Sequence, residues 1–258
     1  MPEKVVPGPV SEDRCIREAV CIHTKKIFDS CKDKDCIEDL RVYPTVGSQT
    51  YIDNAFSVRP KSAELLYAEV NVEAITFNKG YYTVDVTYFY KITGETFPGG
   101  NVVTGLAIFD KRVMLCGGEG TVKTFSSDLC DCSCVDDGMP VAYVEAVDPI
   151  ALHLKLVDAN CNVCCDNDRH DIPACILARF GEALVTSDSG RRLYVTLGQF
   201  SIIRLERDTQ LLIPAYDYCV PEKECAGGRC NDDPCEIFSQ IRFPVEEFFP
   251  TGECTTTS

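Results

Sequence analysis

One stretch narrows the choice of fold more than any other: EVNVEAITF, then NKG, then YYTVDVTYFYKI, over residues 69–92. In its second half Tyr82, Val84, Val86, Tyr88, Tyr90 and Ile92 alternate with Thr83, Asp85, Thr87, Phe89 and Lys91. That period of two belongs to a half-buried strand, and Asn78 to Gly80 supplies a turn, so the segment predicts a β-hairpin with Val84, Val86, Tyr88 and Tyr90 on its buried face. A chain of 258 residues can build a large apolar core around such a hairpin.

Further strands follow the same logic. NVVTGLAIF and VMLCG, separated by DKR, read as a second hairpin. PVAYVEAVDPIALHLKLVD reads as strands broken at Asp148-Pro149, because proline cannot donate to a ladder. RRLYVTLGQFSIIRLERDTQLLIPAY holds two or three more. Many short strands with little helical periodicity after residue 40 predict a mainly β fold with an antiparallel, sandwich-like core of one or two β subdomains. The expected organisation is a cysteine-rich N-terminal arm over 1–50 with room for a short helix, a first β unit over 51–127, a second over 128–218 with cysteine-rich loops, and a cysteine-rich tail over 219–258.

The 17 cysteines cannot all pair within one chain, because the number is odd. The N-terminus MPEKVVPGPVSEDR has proline and charge where a signal peptide needs an apolar run, and no segment reaches the length of apolar sequence that spans a bilayer. Neither export by that route nor membrane insertion is expected. The net charge of −15, with no compensating Lys/Arg cluster, disfavours nucleic acid as a partner. In DLCDCSCVDD, residues Cys130, Cys132 and Cys134 lie at alternate positions, about 7 Å apart on one face of an extended chain. A disulfide needs β-carbons about 3.8 Å apart. These three are poor partners for one another, and adjacent Cys164 and Cys165 share the difficulty. The candidates for bridging within or between chains are Cys15, Cys21, Cys31, Cys36, Cys130, Cys132, Cys134, Cys161, Cys164, Cys165, Cys175, Cys219, Cys225, Cys230, Cys235 and Cys254.

The competing chemistry is metal. Cys161, Cys165, His170 and Cys175 form C-x3-C-x4-H-x4-C, one residue longer than the spacing of a zinc knuckle, and four such ligands could close a tetrahedral zinc site. The C-x-C of Cys130, Cys132 and Cys134 departs from iron–sulfur spacings. Asp29, Asp33 and Asp35 in DSCKDKDCIED lack the glycine and terminal glutamate of a calcium loop, so a solvated charged turn is expected there. No nucleophile elbow, Walker loop, zinc-protease motif or dinucleotide fingerprint occurs in the chain. His153 sits in a strand, and His23 has no visible orienting context. The expectation is a non-enzyme without catalytic residues or cofactor.

The segment TKKIFDSCKDKDCIEDLRVY, followed by VEAITFNKGYYTVDVTYFYKITGE, together with CDCSC and the late cysteine clusters, resembles the clostridial cysteine-rich spore-surface (exosporium) proteins. The resemblance implies a structural subunit that self-assembles into a disulfide-crosslinked homo-oligomeric lattice, with itself and other spore-surface proteins as partners. It also implies a location in the exosporium or outer coat after synthesis in the mother-cell cytoplasm without a signal peptide. Such a protein meets oxidant only when the mother cell lyses, and thiol exchange before then can correct mispaired bonds.

Overall fold

The computed structural model describes residues 22–120, 138–158, 172–187, 190–211, 238 and 241–248. Its elements are β1 (Ile22–Pro44), α1 (Val46–Asn54), β2 (Ser57–Ala74), β3 (Tyr81–Phe97), β4 (Val102–Cys116), β5 (Val141–Ala146), β6 (Ile150–Val157), α2 (Ala174–Leu177), β7 (Arg192–Leu211) and α3 (Val245–Phe248). The fold is mainly β and antiparallel, as expected. All seven strands belong to one sheet in the order β2-β3-β4-β1-β7-β5, with β6 also paired to β7. β5 and β6 lie end to end along β7, opposite Ser201–Glu206 and Arg192–Gly198 respectively. The break between them falls at the expected Asp148-Pro149.

The two sheet edges curl towards each other, so the sheet nearly closes into a barrel in place of the expected sandwich. At the closure, the backbone N–H of Leu65 in β2 donates to Asp148 Oδ1 at 2.8 Å. Gly94 permits the approach. A Cβ there would lie 2.7 Å from Val58 Cγ1 and 2.8 Å from Leu154 Cδ1, closer than carbon atoms pack.

The hairpin is β2-β3, and its buried face is the one the alternation predicts. Val84, Val86, Tyr88, Tyr90 and Ile92 line the barrel interior with Ile37, Val113, Leu115, Val195, Leu197 and Leu205. Phe89 faces outward yet is buried, because Leu106, Ile108 and Ile176 cover it in a second apolar cluster. Residues 172–187 supply that cover, pinned by the Thr45–Leu184 bridge.

Three expectations need correction. Residues 22–44 are not part of an arm: they form β1, which lies between β4 and β7 in the sheet. The short helix comes after it, with Thr45 Oγ1 accepting from the Ser48 N–H as its N-cap. DKR is not a turn, since β4 runs unbroken through it. Asp110 accepts from Thr87 Oγ1, Arg112 pairs with Asp85, and Lys111 turns inward, so each charge has a cross-strand partner. Likewise 192–211 is a single strand. A boundary at residue 127 therefore does not divide the β core.

Candidate functional site

Two features carry chemistry: the ends of the barrel and a charged cluster inside it. The strand register defines the ends. Ile22 pairs with Leu211, Asp29 Oδ2 accepts from the Cys116 N–H at 3.1 Å, and Val141 pairs with Glu206. The strand ends leading into 1–21, 121–137 and 212–237 thus lie at one end of the barrel. Arg207 ties that end together by donating to the carbonyls of Gly117, Gly118 and Gly138 and to Tyr82 Oη. Residues 159–171 are reached from the opposite end, where Val157 pairs with Arg192 and Val42 with Leu193.

Cys15, Cys21, Cys130, Cys132, Cys134, Cys161, Cys164, Cys165, Cys219, Cys225, Cys230, Cys235, Cys254 and His170 fall outside the described residues. Four cysteines are described. Cys31 and Cys36 are each disulfide-bonded. Five residues apart on β1, they point to opposite faces and stand roughly 16 Å apart, too far to pair with each other. Cys175 of α2 is exposed with a free thiol, and Cys116 at the end of β4 also carries one. Of the zinc alternative only Cys175 is described, and no metal-ligand cluster occurs among the described residues. His153 is exposed on β6.

The charged cluster was not expected. The solvated turn expected at Asp29, Asp33 and Asp35 is instead part of β1: they alternate with Lys32, Lys34 and Cys36, and the odd positions face the interior with Cys31 and Ile37. Asp33 is only 8% exposed. Lys111, directly opposite Val86 on the inner face, reaches across and donates to Asp33 Oδ2 and, at 2.5 Å, to Asp35 Oδ2. Tyr88 and Tyr90 stack at 6.0 Å beside this group. Burial holds both phenols protonated beyond their ordinary range.

Lys111 sits where β1 and β4 part within the sheet. The ladder between β1 and β4 consists of Val42–Ala107, Tyr43–Leu106 and Pro44–Gly105. Beyond those pairs, the seam is crossed by side chains: Lys111 to Asp33 and Asp35, and Asp29 to the Cys116 N–H. The inward charges therefore do structural work that backbone hydrogen bonds do elsewhere in the sheet.

Two carboxyls face one ammonium here, and burial, reinforced by the charge of Asp33, pushes Asp35 up to about 6 despite the pull of Lys111. The folded state thus holds this proton more tightly than the unfolded chain does. Asp35 favours folding below about pH 4, and the advantage is lost as pH rises through 6. Relative to an Asp35→Asn variant, the natural chain should lose on the order of 2–3 kcal/mol of stability between pH 4 and pH 7. Urea melts of both proteins across that range check this. Parallel pH curves would show that Asp35 is hydrated.

The described residues form a nearly closed antiparallel β-barrel whose strand ends lead into cysteine-bearing segments. The chain is similar to the protein named Exosporium protein A of Clostridium sporogenes (strain ATCC 15579), 24% identical over 258 residues, covering 93% of this chain and 78% of that one. No protein-family model matches the chain, and no solved structure does.

Proposed function

We propose that the chain is a structural subunit of the spore surface, assembling with copies of itself into a disulfide-crosslinked lattice and acting as no enzyme. The observation that carries this reading is the similarity to Exosporium protein A along 93% of the chain. The fold supports it in two further ways. Strand ends leading to Cys130, Cys132 and Cys134 and to the first and last cysteine groups lie at one end of the barrel, and those leading to Cys161, Cys164 and Cys165 at the other. Both ends also expose large apolar side chains: Phe77 (92%), Met114 and Phe28 at the first, Phe56 (82%), Phe97 and Val102 at the second. Exposed side chains of this kind favour association where they come together, and two unlike ends permit the head-to-tail contacts that build open arrays. Each intersubunit disulfide would then make dissociation a covalent problem.

The test is to express the chain alone and inspect it by electron microscopy, sedimentation and electrophoresis with and without reductant. Ordered assemblies that fall to subunits only with reductant are expected; a clean monomer without reductant sinks the reading. Replacing Cys130, Cys132 and Cys134 together by Ser should leave the subunit folded and shift the non-reducing pattern from large multimers to smaller species. An undiminished multimer ladder would move the crosslinks to Cys15 and Cys21, to the tail cysteines, or to the opposite end.

A further inference from the structure

We propose that Lys111 and Asp33 condense into an intramolecular amide, with Asp35 relaying the protons, so that β4 and β1 become covalently stapled across the open seam of the barrel. The inference is independent of where the protein resides. Three observations carry it.

The first is contact. Lys111 Nζ lies against Asp33 Oδ2 and 2.5 Å from Asp35 Oδ2, so nucleophile, acyl carbon and a second carboxyl meet in one place. Asp33 and Asp35 share this one ammonium, which brings the two carboxyls to the same place. Holding reactants in this way replaces a bimolecular encounter with a unimolecular step.

The second is burial. The Lys111 side chain is 7% exposed, and the cluster is walled by Val86, Tyr88 and Tyr90. In water an ammonium and a carboxylate do not condense, because the ions are too well solvated and the amine is protonated. In an apolar interior the charged forms lose that solvation, and passing a proton from Nζ to the Asp33 carboxylate gives a neutral amine beside a neutral acid.

The third is the spare carboxyl. Nζ attacks Asp33 Cγ, and Asp35 donates its proton to the Asp33 carbonyl oxygen while its other oxygen accepts one from the nitrogen. Collapse of the tetrahedral intermediate breaks the bond from Cγ to the hydroxyl oxygen, which leaves as water, and Asp35 ends protonated as it began. One ammonium and one carboxylate become one amide and one water, without oxidant or activated reagent. The upward push on the Asp35 carboxyl, to about 6, leaves a protonated fraction near neutrality, and it is this fraction that acts in the relay. A buried ion pair is thereby exchanged for a neutral, hydrogen-bonding amide.

The experiment is intact-mass and peptide mass spectrometry of the folded, purified chain after full reduction and alkylation, so that disulfides contribute nothing. The natural chain should be lighter by one water, and a branched peptide should join Lys111 to Asp33. Lys111→Arg and Asp33→Ala should each restore the full mass. Asp35→Asn, which keeps the shape of the relay, should leave the bond unformed while circular dichroism still reports the β fold. A natural chain at its full sequence mass overturns the proposal, as does a branch joining Lys111 to Asp35. Complete condensation in Asp35→Asn overturns the relay.

Discussion

Lys111→Met should destabilise the folded subunit by roughly 3–5 kcal/mol at neutral pH, the usual cost of removing one partner from a buried ion pair. Methionine keeps most of the stem that packs opposite Val86 but leaves Asp33 and Asp35 facing each other inside the barrel without a cation. Two carboxylates in that setting must either take up protons or draw in water, and each response costs free energy. The seam between β1 and β4 also loses its main side-chain bridge, since their backbone ladder stops at Val42 and Ala107. The effect has the same sign whether Lys111 is ionic or condensed, because methionine returns Asp33 to a free carboxyl in both cases. Urea melts in reductant measure it, and lowering the pH to 4.5 should recover part of the loss by protonating the pair. Adding Asp33→Asn and Asp35→Asn to the Lys111→Met chain should recover more. A loss below about 1 kcal/mol would mean that the cluster is solvated and the seam is held by something else.

The parts of the fold that were legible in the sequence are those where local pattern and environment agree. β3 alternates cleanly because its inner face meets aliphatic and aromatic side chains, and the Asp148-Pro149 break shows because proline is a local instruction. β1 was illegible for a matching reason. Its inner positions hold Asp29, Asp33 and Asp35, so both faces look polar and the period-two signal disappears. What makes the strand possible is a lysine about eighty residues further on, and no window of sequence contains both. β4 failed similarly: DKR has the composition of a turn, yet Asp110, Lys111 and Arg112 each meet a partner across the sheet. β7 looked like several strands because few strands run to 20 residues, and it does so only because β1 backs its whole length while β5 and β6 share the other side.

The thiols were visible as a count and as spacings, and their odd number showed that pairing within one chain is incomplete. Their placement was not visible. That strand ends leading to three separate cysteine groups lie at one end of the barrel follows from β1 and β7 pairing along their full lengths, with β4 running against β1 on the other side. Cys31 and Cys36 look like neighbours in sequence, and the pleat sends them to opposite faces. Cys116, which is not among the bridging candidates, stands with a free thiol at that same end, beside Asp29.

Val84→Asp should be among the most damaging single changes in the β-hairpin, at roughly 5 kcal/mol or more at neutral pH, which for a subunit of ordinary stability means little soluble protein. Val84 is fully buried, with Val72 opposite it on β2 and Val113 opposite it on β4, so an aspartate there would face valines on both neighbouring strands. Two residues along, the outcome differs. Val86 lies opposite Lys111, and an aspartate at 86 would join a cluster that already holds a cation, so its cost should be smaller than at 84. Val84→Thr separates charge from shape: it keeps the branched outline, buries one hydroxyl, and should cost less than half as much as the aspartate. Thermal and urea melts of the three variants in reductant, at pH 7.5 and pH 4.5, give the comparison. The Val84→Asp penalty should shrink at the lower pH as the carboxyl is protonated, and the Val84→Thr penalty should not move. Equal losses for Asp at 84 and at 86 would show that the charged layer around Lys111 and the aliphatic layer next to it are not electrically distinct, and the interior assigned here to β1, β3 and β4 would have to be redrawn.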